Sequence, residues 1–250
     1  MDNSRRVLVF PTVDEMADFM VNQWIELSWC AIQKKGHFAA ALSGGETPVP
    51  FYRKLVEEGP KLPWNRTHLF LADERFVPID DPDSNYHLLH ETLLKNIPLP
   101  EGNFHAVVTD SPDPLSSAGR YEEEIRRFFM PGPEGIPEFD LIMLGMGADG
   151  HTASLFPGKR GCLKTVHLAC AVDLDNDRHD RITLTLPVIN NARMVVFLVS
   201  GKAKASALRD VAEGRDRHLP ASRVKPGEGR LLFLADAEAA QYLAANHIRR

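Results

Sequence analysis

Short apolar runs alternate with amphipathic stretches from one end of the chain to the other. Val7-Leu8-Val9-Phe10 reads as a strand. After it, Phe19, Met20, Trp24, Leu27 and Ala31 fall on one side of a helix predicted over 13–34. Further strands are predicted at 38–42, 68–72, 140–144, 166–172, 182–186, 194–199 and 231–234. Helices are predicted at 48–57, 84–95, 115–129, 202–213 and 236–246. Most of the strands are nearly continuous in Val, Leu, Ile, Phe and Ala, the composition of strands covered on both faces by crossover helices. The pattern therefore predicts an α/β fold with a mostly parallel sheet. Ile182-Thr-Leu-Thr-Leu186 alternates instead, and is expected to be half exposed or at a sheet edge. No internal repeat, low-complexity tract or long linker interrupts the pattern. Residues 131–137 and 220–229 read as surface loops, and a single domain over 1–250 is expected.

Composition narrows the function classes. Hydrophobic residues are 44% and charged residues 25%, ordinary values for a globular protein. No apolar run approaches the roughly 18 residues that a membrane span needs. The apolar stretch before Pro11 is too short for a signal-peptide core, so a cytoplasmic location is expected. Cys30, Cys162 and Cys170 include no Cys-x-x-Cys pair, which argues against a disulfide framework or a thiolate zinc site. A net charge of -5 supplies no global basic field for nucleic acid or an anionic membrane. An anionic small molecule would need a local cationic cluster.

In open parallel sheets, ligands bind beyond the carboxyl ends of the strands, so strand-end motifs carry the most weight. Ser43-Gly44-Gly45-Glu46-Thr47-Pro48 follows the 38–42 strand. Thr47 is expected to cap a helix with Pro48 at its first position. The glycines then bring backbone N–H groups to an anion at that helix start; the alternative is a plain Gly-rich turn. Glu46 is expected to turn away from the anion. Asp73-Glu74-Arg75 follows the next strand and reads as either a functional cluster or a solvated ion-pair turn. Gly145-x-Gly147-x-x-Gly150 formally matches a dinucleotide fingerprint, but Pro157-Gly158 interrupts the helix that such a fingerprint should open. Within it, Asp149-Gly150-His151 offers a general acid/base, or else a histidine packed in a turn. Arg178 and Arg181 precede the 182–186 strand, and Lys202 and Lys204 follow the 194–199 strand. These lysines gain nothing from the dipole of the helix they open, and an anionic ligand explains them better than an exposed face does. There is no Gly-x-Ser-x-Gly elbow, so Ser43 is not read as an acyl-enzyme nucleophile. His87 and His90 are assigned to a surface helix, and the tryptophans to packing.

Leu42–Pro48, Asp73–Pro78 with Ser84-Asn85, and the long Leu144–Gly158 segment together resemble the 6-phosphogluconolactonase family. Arg181–Pro187, Gly201 with Lys204-Ala205, and Pro220-Ala-Ser222 extend the resemblance, in family order, over nearly the whole chain. It implies a three-layer α/β/α, Rossmann-like sheet similar to glucosamine-6-phosphate deaminase and ribose-5-phosphate isomerase. The implied activity is hydrolysis of 6-phospho-D-glucono-1,5-lactone to 6-phospho-D-gluconate in the oxidative pentose phosphate pathway, the alternatives being an amino-sugar-phosphate deaminase/isomerase or a non-catalytic sugar-phosphate sensor. Deaminases of the same superfamily carry an acid five positions after the motif histidine, where this chain has Phe156, and usually an aromatic residue at the place of Arg75.

Carried onto this chain, the resemblance implies that Gly44, Gly45, Thr47, Arg181 and Lys204 hold phosphate, with Ser43 and Asp73 completing the substrate set. His151 is expected to activate water, oriented by Asp149. Arg75, or alternatively the amides of 145–150, is expected to meet the oxyanion. No metal or cofactor is expected, because a lactone is already an activated ester. The expected partner is a sugar-phosphate lactone, not nucleic acid or membrane, with the chain acting as a monomer or small homo-oligomer.

Overall fold

The computed structural model describes residues 5–132, 135–174 and 179–249. An eight-stranded sheet is built from β1 (Arg5–Phe10), β2 (Phe38–Leu42), β3 (Thr67–Leu71), β5 (Phe104–His105), β6 (Leu141–Leu144), β9 (Met194–Val199), β10 (Arg230–Asp236) and β11 (Ile248–Arg249). Its order is β11-β1-β10-β9-β6-β2-β3-β5, and every pairing in it is parallel. The central strands β2, β6 and β9 are buried at every position, so both faces of the sheet are covered. This is why their sequences run apolar without alternation.

The helices are α1 (Val13–Lys35), α2 (Val49–Glu57), α3 (Asn85–Thr92), α4 (Pro114–Phe129), α5 (Leu186–Asn190) and α6 (Ala205–Ala212). Thr12 caps α1 through the Glu15 N–H, and Gly36, at φ 85°, ends it in the left-handed conformation that glycine tolerates. Its inner face presents Met16, Met20 and Trp24, and Trp24 packs edge-on against Phe38 with ring centroids 4.9 Å apart. Trp64 is also buried, whereas Trp29 is exposed. Among the described residues, no helix is long and apolar enough to cross a membrane.

Strand succession runs from β2 through β3 to β5 in one direction, and from β6 through β9 to β10 in the other. The order therefore reverses between β2 and β6, which places a crevice at their carboxyl ends.

Several expectations are corrected. A second, three-stranded antiparallel sheet, β4 (Asp73–Arg75), β8 (Arg181–Leu184) and β7 (Ala169–Val172), was not legible in the charged Asp73-Glu74-Arg75 run. In it β8 is the central strand, not an edge, and Ile182, Thr183 and Leu184 are fully buried. The alternating threonines are satisfied internally: the Thr183 hydroxyl accepts the Ser154 N–H, and the Thr185 hydroxyl donates to the His167 carbonyl. The helix expected over 236–246 is a series of turns. Asp236 closes β10, its carboxylate accepting the Ala239 N–H, and Ala239, Ala240 and Leu243 still pack into the core at helix-like spacing. The strand expected at 182–186 stops at Leu184, and Leu186–Asn190 turns into α5 with Pro187 in its first turn.

Candidate active site

A cleft of about 680 Å³ opens at the β2/β6 reversal. The loop after β2 forms one wall. Ser43 is buried there, its hydroxyl donating to the Met143 carbonyl at 2.8 Å and its carbonyl accepting the Tyr52 hydroxyl at 2.6 Å. Its side chain thus ties β2 to β6 at the floor of the cleft. Gly45, at φ 85° with open space around it, makes the turn that Gly44 begins. Thr47 does not cap α2. The helix starts at Val49 with Pro48 as its cap residue and no side-chain cap bond, and the Thr47 hydroxyl instead pairs with the Ser200 hydroxyl at 2.9 Å. Glu46, expected to turn away, is exposed but still contributes to the lining.

Ser200 was missed by the sequence reading; its only signal is that it directly follows the apolar run of β9. Next to it, Gly201 stands at φ 85° with its N–H bound to both carboxylate oxygens of Asp236. This fixes the turn that delivers Lys204 to the cleft, one residue before α6 begins. Lys204 lines the same cleft as Thr47, Ser200, Gly44 and Gly45, a donor set suited to phosphate.

The loop after β6 supplies the titratable pair. His151 Nδ1 lies 2.6 Å from Asp149 Oδ1, and the same oxygen accepts the His151 N–H at 3.2 Å. The contact that adjacency in sequence could not prove is therefore present. Partial burial opposes ionisation of Asp149, but the His151 N–H and ring outweigh it and hold the carboxyl below its ordinary value. The loop is closed by Gly147 N–H to the His151 carbonyl at 2.8 Å and Gly150 N–H to the Gly147 carbonyl at 3.0 Å. No helix opens after it, so the glycine pattern is not a dinucleotide turn. Gly147 is required by contact: a Cβ there would come within 2.1 Å of His151 Nδ1. The Phe156 ring lies against the imidazole with centroids 4.6 Å apart, at the position where an acid was the mark of a deaminase.

The third wall comes from β4 and α3. Asp73 is buried and accepts the Ser154 hydroxyl at 2.7 Å. Arg75 lines the cleft, with Nη1 donating to the Asp83 carbonyl at 2.6 Å. Arg181 does not line it. It sits opposite Arg75 in the β4–β8 register, with Nη1 donating to the His179 carbonyl at 2.7 Å. Burial, and then the Arg75 charge, lower the pKa of Arg181. Arg178 lies outside the described residues. His87 and His90 are on α3 away from the cleft, and the described residues contain no cluster of three or more His, Cys, Asp or Glu that would hold a metal ion.

The family described as glucosamine-6-phosphate isomerases/6-phosphogluconolactonase matches residues 11–233. A 6-phosphogluconolactonase of Synechocystis is 41% identical over 215 residues, covering 85% of this chain and 88% of that protein. The structure of 6-phosphogluconolactonase from Thermotoga maritima superposes with a TM-score of 0.81 at 34% identity, over 92% of this chain and 99% of that one. The corresponding Trypanosoma cruzi structure gives 0.87 at 28% identity, over 98% and 99%. With the motif loops gathered on one cleft and the family match spanning residues 11–233, the chain belongs to the glucosamine-6-phosphate isomerase/6-phosphogluconolactonase family.

Proposed function

We propose that this protein hydrolyses 6-phospho-D-glucono-1,5-lactone to 6-phospho-D-gluconate, with His151 activating the attacking water. The observation that carries the reading is the 2.6 Å His151–Asp149 contact inside a cleft that also holds a cationic, hydroxyl-rich corner. An ionised carboxylate only accepts, so Asp149 selects the tautomer with the proton on Nδ1. Nε2 is then left as the base. It takes a proton from water as the water oxygen attacks C1, and returns it to the ring oxygen as the C1–O bond breaks. The charge that builds on the carbonyl oxygen is met by Arg75. The loop amides are the weaker alternative, because the Gly147 and Gly150 N–H groups are already bonded within the loop.

The phosphate is held by Lys204, the Thr47 and Ser200 hydroxyls and the Gly44-Gly45 backbone, with Ser43 and Asp73 shaping the sugar-binding floor. Arg181, the cross-strand partner of Arg75 on the same face, adds a second positive charge beside it. Phe156 in place of a carboxylate favours the lactonase over an amino-sugar-phosphate deaminase. We read the protein as a single-domain cytoplasmic enzyme, a monomer or small homo-oligomer, without nucleic-acid or membrane partners. Its net charge of -5 supplies no global basic field for nucleic acid or an anionic membrane. Incubation with freshly generated lactone should release acid well above the spontaneous rate, and glucosamine 6-phosphate should yield no ammonia. Ammonia release without lactone hydrolysis would overturn the assignment.

A further inference from the structure

Glu74 is only 1% exposed and takes no part in the cleft lining, although both of its neighbours do. Successive strand residues point to opposite faces, so Asp73 and Arg75 of β4 reach the cleft while Glu74 reaches behind it. There its carboxylate accepts the backbone N–H groups of Arg75, Asn85 and Tyr86, at 2.7 Å each, and the Ser84 hydroxyl at 3.3 Å. Asn85 and Tyr86 open α3, so Glu74 satisfies the helix start from another element. Ser84 caps the same helix through the His87 N–H. Burying a carboxylate is costly even when it is fully bonded, and replacement by apolar packing is often tolerated. A group retained at this cost directly behind the cleft is explained by what hangs on it.

Two cleft groups do. Arg75 is bound by its own N–H. Asn85 donates from Nδ2 to the Asp73 carbonyl at 2.8 Å, and its side chain lies over Gly44 so closely that a Cβ there would be 1.8 Å from Oδ1. The Glu74 carboxylate thereby fixes the relation between β4, the start of α3 and the glycine loop after β2.

We propose that Glu74 is a positioning residue for the lactone reaction: its buried carboxylate sets Arg75 and Asn85 against the glycine loop through the amides of Arg75, Asn85 and Tyr86. This rests on the lactonase reading of the cleft. The test is Glu74→Gln in the wild-type, R75A and N85A backgrounds, with kcat and KM for the lactone and calorimetric Kd for 6-phosphogluconate. Misplacement of catalytic groups by about 1 Å costs on the order of 100-fold. We expect a 10- to 100-fold loss of kcat/KM in the wild-type background, less than threefold further loss in R75A or N85A, and partial recovery with E74D. An equal loss in all backgrounds, or no loss, overturns the proposal, since generic support of the fold would be additive. If E74Q fails to fold, E74D, which keeps the charge but shortens its reach, carries the same comparison with a smaller loss. If the wild type shows no turnover, the lactonase reading fails on its own and Kd decides for Glu74. Weakened binding in E74Q that is absent in the N85A background supports positioning; unchanged binding in a folded E74Q refutes it.

Discussion

Gly147→Ala tests the proposed base with a single added methyl group. Gly147 is not at a positive φ, so alanine fits its backbone without strain. The new Cβ would meet His151 Nδ1 at 2.1 Å and Asp149 Oδ1 at 2.4 Å. Carbon contacts settle at about 3.5 Å, so the imidazole nitrogen must retreat by about 1.4 Å. The Asp149 oxygen must give way as well, by about 1.1 Å, so both members of the 2.6 Å dyad leave their positions in the cleft. Loss of an oriented base is expected to reduce kcat/KM by about 100-fold, or about 2.7 kcal/mol in the barrier. Stability should change little. The colliding atoms are the ends of side chains that are 33% and 50% exposed. The residual overpacking is offset by roughly 0.4–1 kcal/mol from the stiffer unfolded chain. Steady-state hydrolysis of the lactone, paired with a thermal melt, separates the two effects. A folded G147A protein with wild-type kcat/KM would refute the claim that the Asp149-held imidazole is the base.

Further outcomes follow from other parts of the structure. Lys204→Ala should raise KM for the phosphorylated lactone by about tenfold or more with a smaller change in kcat, since a charge-assisted phosphate bond contributes about 1.5–3 kcal/mol; an unchanged KM would remove Lys204 from the phosphate site. Gly45→Ala places a side chain in open space at φ 85°, so the cost is backbone strain alone, about 1–2 kcal/mol; a denaturant melt shows it, and an unshifted midpoint contradicts it. Burial pushes both His68 and His105 down to about 4, while the Glu124 carboxylate on His105 is also claimed by Arg127. Their unfolded forms protonate first, near pH 6.5, so stability should be full above that value and decline as pH falls towards 4. Urea titrations at neutral and mildly acidic pH measure this, and a pH-independent midpoint over that window would contradict it.

The order of strands and helices was readable because a buried parallel sheet writes itself as unbroken apolar runs. The motif loops at 43–48 and 145–151 were readable because turns and anion cradles require glycine. What escaped the sequence has physical causes. Asp73-Glu74-Arg75 is charged yet forms a strand, because its partners are a neighbouring strand and the amides of a helix start rather than water. Thr47 has the chemistry of a cap, but the competing hydroxyl of Ser200 lies 153 residues away in sequence. Arg181 stands in the expected segment and pairs with Arg75 across the β4–β8 ladder, on the same face, but the cleft lining reaches Arg75 and not Arg181. The segment after Asp236 has helical spacing of apolar residues, but the Asp236 side chain starts a chain of turns instead.

The most direct test of the account is lactone hydrolysis by the wild-type protein and by His151→Ala, each followed above the spontaneous rate from acidic to neutral pH. The account predicts wild-type acceleration, and a mutant that binds 6-phosphogluconate but loses roughly 100- to 10,000-fold in rate. A His151→Ala protein that retains the wild-type rate and pH profile would contradict it.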